Sequence, residues 1–208
     1  MENTQLLSEI LRPRSISDMA LPPDISCSLE RMEVAGSLIN LLFYGGPGIG
    51  KTSAARILIE NADVLEINGS FNNGDKAILR LIENFASTMS LFSKPKVCFI
   101  DEADYLTKEV QAGLRHIIEK FSATTRFILT ANEIDKVTSA IRSRCTPICF
   151  DIAPMDRAII IDQKLARYEK RLTELGYEYD LAELRETVGI YFPDWRSIAN
   201  QLQLSLGK

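Results

Sequence analysis

The chain has 208 residues, 24 Lys and Arg against 28 Asp and Glu for a net charge of −4, and 46% hydrophobic residues. That length suits one α/β core with a small appendage, the acidic balance argues against a protein that coats nucleic acid with its whole surface, and no apolar run reaches the ~20 residues of a membrane-spanning helix. The N-terminus MENTQLLSEI lacks a basic, apolar, small-residue signal sequence, so a cytoplasmic protein with no membrane partner is expected.

Along the chain, Leu11 to Ser15 (LRPRS) reads as a basic turn. The first strand-like run, Leu41 to Tyr44, leads into a glycine-rich stretch in which Gly45, Gly50, Lys51 and Thr52 satisfy G-x-x-x-x-G-K-[ST]. Glycines let successive N–H groups converge on phosphate oxygens at a helix N-terminus, where the helix dipole adds positive potential. The segment Gly45, Gly46, Pro47, Gly48, Ile49, Gly50, Lys51, Thr52 and Ser53 is therefore expected to hold a nucleoside triphosphate. Lys51 should reach the β- and γ-phosphates, and the Thr52 hydroxyl should ligate Mg²⁺.

Further apolar, β-branched or aromatic runs read as buried strands at Val64 to Ile67, Val97 to Ile100, Phe127 to Thr130 and Ile148 to Phe150. Helical spacings lie between them, for instance Ala77, Leu81, Phe85, and Leu114, Ile117, Ile118, Phe121. Alternating strands and helices imply a parallel sheet covered on both faces. Asp101, at the end of the third strand, is placed to hold the Mg²⁺ water shell, and Glu102 to orient or deprotonate an attacking water; the alternative is a solvated strand exit. Asn132 follows the fourth strand. If that strand lies between the first and third, Asn132 points beside the γ-phosphate and can fix the water; otherwise it is an ordinary turn residue.

The four cysteines Cys27, Cys98, Cys145 and Cys149 form no CxxC pair, and His116 is the one histidine, which argues against structural zinc and Ser-His-Asp chemistry. After Pro154 no strand-like run recurs. Ile161, Leu165, Tyr168, Leu172 and Leu175 predict a long amphipathic helix ended by Gly176, followed by helices over Leu181 to Tyr191 and Asp194 to Leu206. The expected domains are an α/β nucleotide-binding core, 1–153, and a small all-helical domain, 154–208.

These residues resemble an AAA+ ATPase, specifically a clamp-loader ATPase subunit of the replication factor C kind. The resemblance runs over residues 6 to 205, and its discriminating stretch is AIRSRCTPICF, Ala140 to Phe150. Further matches are LRPRSISD, EINGS, QAGLRHIIE and FPDWRSIANQL, the last closest to tailed-bacteriophage clamp loaders. The resemblance implies a P-loop NTPase fold with a five-stranded parallel sheet and a helical lid, and an ATPase using ATP and Mg²⁺. It implies that Leu11, Arg12 and Pro13 line the adenine pocket with Ala20 closing it, and that Asn68 is a switch holding Glu102 from water until DNA arrives. Arg144 would be an arginine finger acting in trans on a neighbouring subunit's ATP, and Arg196 a lid arginine touching the γ-phosphate.

Such fingers change rates by roughly 10³ to 10⁵, so hydrolysis should need assembly into a homo- or hetero-oligomeric ring. The implied partners are a sliding clamp and primer-template DNA. DNA-contact candidates are Asn73, Lys76 and Arg80, and Lys108, Gln111 and Arg115, tracking the backbone rather than bases. Two departures from the family pattern stand out in these 208 residues: the third, collar-forming helical domain is not among them, so that either the chain is shortened or its assembly differs, and the zinc module of cellular bacterial subunits is missing. Alternatives are another AAA+ motor, such as a helicase loader or Holliday-junction motor, and a nucleotide-binding scaffold that does not hydrolyse; a scaffold has no chemical need for Glu102.

Overall fold

The computed structural model describes residues 6–71, 75–90 and 94–206. An N-terminal strap contains the short helix α1 (Leu7–Ile10) and a 3₁₀ turn (Ile16–Asp18), and leads into α2 (Pro23–Ala35). The αβ alternation then runs β1 (Leu41–Tyr44), α3 (Lys51–Leu58), β2 (Asp63–Asn68), α4 (Asp75–Ser87), β3 (Lys96–Asp101), α5 (Lys108–Lys120), β4 (Thr125–Ala131), α6 (Ser139–Arg142) and β5 (Thr146–Cys149). Helices α7 (Arg157–Glu174), α8 (Leu181–Tyr191) and α9 (Trp195–Ser205) complete the chain.

The five strands form one parallel sheet in the order β2-β3-β4-β1-β5. Its central strands alternate between two apolar layers, as the two-residue period of a strand requires. Leu42, Cys98, Ile100, Phe127 and Leu129 face the α4, α5 and α6 side with Ile82, Leu114 and Ile141. Leu41, Phe43, Val97, Phe99 and Ile128 face the α2 and α3 side with Leu29, Ala54 and Ala55. Because β4 lies between β3 and β1, the carboxyl ends of all three strands meet at one place, the crevice where open α/β sheets bind ligands.

The expected strands are present, with β5 starting two residues earlier than expected; Phe150 continues its line by donating its N–H to the Tyr44 carbonyl at 2.7 Å. Helix α8 has the expected bounds, and α5 buries Leu114, Ile117 and Ile118 as expected. In α4 the face differs from expectation. Its buried stripe is Ile78, Ile82 and Ala86, while Leu81 is 51% exposed. Two apolar rows with the same four-residue spacing run side by side in this segment, and spacing alone does not choose between them. Helix α2 is an element the sequence reading did not anticipate. Gly176, at φ 73°, ends α7, with Gly176 N–H donating to the Thr173 carbonyl and Tyr177 N–H to that of Leu172.

A third apolar cluster joins Leu165, Tyr168, Leu172, Leu184, Val188, Ile198 and Leu202 of α7 to α9 with Leu7, Leu11 and Ala20 of the strap. The Leu7 N–H donates to Gln203 Oε1 at 2.9 Å. Helices α1 and α9 are thus packed together, and the strap bridges the sheet layers and the C-terminal helices. Among the described residues no helix is long and apolar enough to cross a membrane.

Candidate nucleotide site

A cavity of about 390 Å³ lies at the carboxyl ends of β1, β3 and β4, roofed by the strap and by α7 and α9. Its phosphate-loop end is polar and internally bonded. Gly50 caps α3, and Lys51 opens that helix while only 7% exposed. Its ammonium donates to the carbonyls of Gly45 at 2.8 Å and Gly46 at 2.6 Å, and to Asn132 Oδ1 at 2.9 Å. Burial pushes the Lys51 pKa down; Asp104, Asp151 and Asp101 oppose that, and Arg196 adds to it.

The Thr52 hydroxyl donates to the Asp101 carboxylate at 3.0 and 3.3 Å, and the Thr130 hydroxyl donates to the same group at 2.5 Å. Thr130 Oγ1 in turn accepts the Glu102 N–H at 2.9 Å. Glu102 has φ 57°, the left-handed region that a side chain enters only when its surroundings hold it there. Asp104 is buried; its Oδ2 accepts the N–H groups of Asn132 at 3.1 Å and Glu133 at 3.2 Å, while Oδ1 has no partner among the described residues. Asn132 is therefore fixed at its backbone by the β3 exit and at its side chain by the phosphate loop.

Two aspartates outside the motif shape the loop. Asp151, just past β5, accepts the Gly46 N–H at 2.8 Å, and a Cβ on Gly45 would meet the same oxygen at 2.7 Å. Asp194 accepts the N–H groups of Arg196 and Ser197, each at 3.0 Å, capping α9. A Cβ on Gly48 would lie 1.8 Å from Asp194 Oδ1, and the Trp195 N–H donates to the Gly48 carbonyl at 3.1 Å. The last helix thus sits directly on the phosphate loop, and only glycine at position 48 allows it.

The other end of the cavity is apolar, walled by Leu11, Pro13, Met19, Ala20, Tyr168 and Ala199. Arg12 also lines it and is paired with Glu9 at 3.0 Å. Arg196 lines the cavity from the first turn of α9, near enough to Lys51 for their charges to interact. Lys164 completes this end, a buried cation on the apolar stripe of α7.

The cavity brings together the predicted residues Leu11, Arg12, Pro13, Ala20, Pro47 to Ser53, Asp101, Glu102, Asn132 and Arg196. Gly45 and Gly46 enter through their contacts with Lys51 and Asp151. Arg144 is absent from the described residues lining it. It follows α6, donates through Nε to Glu119 at 2.8 Å and through Nη1 to the Ala140 carbonyl at 2.6 Å, and forms an ion pair with Glu119. Asn68 pairs in register with Asp101, but its Oδ1 accepts Ser70 N–H at 2.8 Å and Ser70 Oγ–H at 2.7 Å. Among the described residues no hydrogen bond joins it to Glu102.

Of the DNA-contact candidates, Lys76 and Arg80 on α4 and Lys108 and Arg115 on α5 are exposed. Gln111 corrects the expectation. It is 2% exposed, donates to the carbonyls of Leu106 and Lys136 at 3.1 Å each, and accepts the Thr138 N–H at 2.7 Å. With its amide engaged inside the protein it offers no surface contact; it faces the buried side of α5 with Val110 and Leu114, while Lys108 and Arg115 face out. Asn73 lies outside the described residues.

Asp104, Thr130, Asp151, Asp194 and Lys164 are site residues that the sequence reading missed. Lys164 left a signal: it stands four residues after Ile160 and four before Tyr168, a charge within an apolar stripe. Asp151 and Asp194 left none, because their roles depend on contacts across 105 and 146 residues of chain.

The donor set fits a magnesium nucleotide. A glycine loop with a helix N-terminus and a buried ammonium suits phosphates, and the oxygens of Thr52 and Asp101 suit a hard divalent cation. Among the described residues no group of three or more His, Cys, Asp or Glu could hold a metal ion, so this protein pair would leave coordination positions to phosphate and water.

Residues 41–150 match the family model for the ATPase family associated with various cellular activities (AAA). Replication factor C subunit 5 of Arabidopsis thaliana is 38% identical over 158 residues, covering 71% of this chain and 42% of the relative. Replication factor C subunit 5 of Homo sapiens is 38% identical over 204 residues, covering 94% of this chain and 58% of the relative. The chain therefore spans about half the length of the curated relatives it matches. Among solved structures, a point variant of Thermotoga maritima RuvB superposes with a TM-score of 0.69 at 21% identity, covering 94% of this chain and 64% of that one, a likeness of fold.

Proposed function

The chain belongs to the AAA family of ATPases, and from that premise we propose that it is an ATP-hydrolysing subunit of a clamp loader. It would bind ATP at the boundary between subunits, assemble around a sliding clamp, and place the opened clamp on primer-template DNA. The observation that carries this reading is the division of the site. Lys51, Thr52, Asp101, Glu102, Asn132 and Arg196 line one cavity, while Arg144, in the Ser-Arg-Cys stretch, stands outside it. The identity with replication factor C subunits over most of this chain supports the choice of machine.

In this reading Lys51 grips the β- and γ-phosphates, and Asn132, bonded to Lys51, positions the attacking water that Glu102 deprotonates. Thr52 and Asp101 would hold Mg²⁺, which would supply positive charge against the phosphates. Arg196 contacts the γ-phosphate from α9, so nucleotide draws the helices of 154–208 onto the core of 1–153. Leu11, Arg12, Pro13 and Ala20 enclose the base. Arg144 serves the neighbouring copy's ATP and must leave Glu119 to do so.

Asn68 would act as the switch in a second state, after releasing Ser70 and turning toward Glu102. The exposed Lys76, Arg80, Lys108 and Arg115 supply backbone contacts to DNA, a few per subunit summed over the ring. The proposed location is the cytoplasm, or a host's cytoplasm if the source is viral; the phage likeness draws on the Phe192-Pro193-Asp194-Trp195-Arg196 ending, whereas the two relatives above are eukaryotic.

The test is phosphate release by the chain with ATP and Mg²⁺, alone and with its clamp and primer-template. Strong stimulation by the two together is expected. Turnover indifferent to both would contradict the proposal.

A further inference from the structure

A second cavity, of about 370 Å³, opens behind the base end of the first and shares Leu11, Pro13, Lys164 and Tyr168 with it. The rest of its wall is dominated by positive charge: Arg14 from the strap, and Arg167, Lys170 and Arg171 beside Lys164 on α7. Asp18 and Glu174 oppose these cations, and Glu174 is tied to Arg171 at 3.0 Å. Arg14 and Lys170 carry no ion pair among the described residues.

Two of the cations are drawn into the wall, and one of them, Arg167, has a buried donor with no partner among the described residues. Lys164 is 6% exposed, its Nζ 4.8 Å from the ring centre of Tyr168 and 5.2 Å from that of Trp195. Among the described residues it donates no hydrogen bond, and ring faces replace only part of a charge's hydration. Arg167 donates through Nη2 to the Ser17 carbonyl at 2.7 Å, while its Nη1 is buried without a partner among the described residues. Burial brings the Lys164 pKa down to about 8, with like charge from Arg167 adding and Asp18 opposing. Buried donors are nearly always satisfied in a folded protein, so the unpartnered Arg167 Nη1, in a cavity that Lys164, Arg14 and Lys170 also line, marks a place where a ligand supplies the acceptors.

We propose that this second cavity binds the phosphoryl group of a small molecule, taken up beside the nucleotide in the first cavity. A multiply charged tetrahedral anion matches several converging cations better than a single carboxylate, and an arginine fork presents paired donors to it. The apolar wall of Leu11, Pro13 and Tyr168 gives room for the molecule that carries the phosphoryl group. Because Lys164 and Tyr168 belong to both cavities, filling one alters affinity in the other, reciprocally.

The test is calorimetric titration of the full chain with inorganic pyrophosphate. The phosphate loop is expected to take one equivalent and the second cavity another. In Arg14→Ser/Lys170→Ser, which changes only exposed rim positions, one of the two should weaken by about tenfold to a hundredfold, the scale of losing hydrogen bonds to charge. In Lys51→Ala one equivalent should remain, and that one should be sensitive to the rim pair. Repeating the Lys51→Ala titration with AMP separates the sources: tighter AMP binding assigns the phosphoryl group to a nucleotide, tighter pyrophosphate binding to the inorganic ion. Pyrophosphate binding indifferent to the rim pair in both backgrounds, or a single rim-insensitive site in the wild type, overturns the proposal.

Discussion

The two ends of the nucleotide cavity are built on opposite principles. At the phosphate-loop end, Lys51 has three acceptors and Asp101 accepts from two hydroxyls, so each charge is held before any ligand arrives. At the base end, Leu11, Ala20 and Tyr168 form a packed apolar wall, and the buried cation among them, Lys164, has no hydrogen-bond acceptor among the described residues. Preorganised dipoles favour chemistry because nothing need reorganise as charge develops. Packing without polar satisfaction favours grip and leaves affinity open to adjustment. Under the proposed function the difference would give turnover to one end, and folding and ligand linkage to the other.

Substitutions should sort accordingly. In assembled chain with clamp and DNA, Arg144→Ala should lower turnover by roughly 10³ to 10⁵ while ATP affinity, read by equilibrium binding, stays near wild type; weakened binding with unchanged turnover per bound ATP would remove the finger role. Glu102→Gln should lower single-turnover hydrolysis by roughly 10² to 10⁴ and leave the unfolding midpoint almost unmoved, since Glu102 makes its contacts through its backbone. At the other end the pattern should invert. Leu172→Ala empties a fully buried position of the third cluster and should cost about 2 to 5 kcal/mol in denaturant unfolding. A larger effect on turnover per folded chain than on stability would break the comparison.

Lys164 offers a pH test. Its folded pKa of about 8 lies below the ordinary 10.5, so below pH 8 the folded state bears the full penalty of a buried charge. Between about 8 and 10.5 the unfolded chain binds more protons, and stability rises with pH. Wild type should therefore gain on the order of 2 kcal/mol over Lys164→Met between pH 8 and 10. Lys51 is depressed by burial too, but is common to both proteins and cancels. A flat difference would place the Lys164 ammonium in contact with water. Smallest is the joint between the ends: Asp194→Ala removes the α9 cap and should cost about 1 kcal/mol, with a matching loss of ATP affinity as Trp195 and Arg196 shift from the loop.

What the sequence made legible follows the same division. The phosphate-loop end was readable because its chemistry is local: Gly45 to Thr52 are contiguous, and Asp101, Glu102 and Asn132 each follow a buried strand whose place in the sheet the αβ alternation implies. The base end and the joint were not, because packing across the fold decides them. Nothing near Asp194 says that it abuts Gly48, and nothing near Asp151 says that it holds Gly46. Gln111 read as a surface residue since a polar side chain on a charged helix usually is one; its burial follows from three backbone partners brought in by the turns around Leu106 and Lys136. In α4, two equally spaced apolar rows hid which one the sheet would cover.

The central claim is that one copy holds the triphosphate and another supplies the cation that completes the site. Mixing Lys51→Ala, whose own cavity is disabled but whose Arg144 is intact, with Arg144→Ala, whose cavity is intact but which lacks the cation, tests it most directly. With clamp, primer-template and ATP present, each variant alone should release phosphate at background rate, and the mixture should regain a substantial share of wild-type turnover. A mixture no faster than its components, or full turnover by Arg144→Ala alone, would contradict the claim.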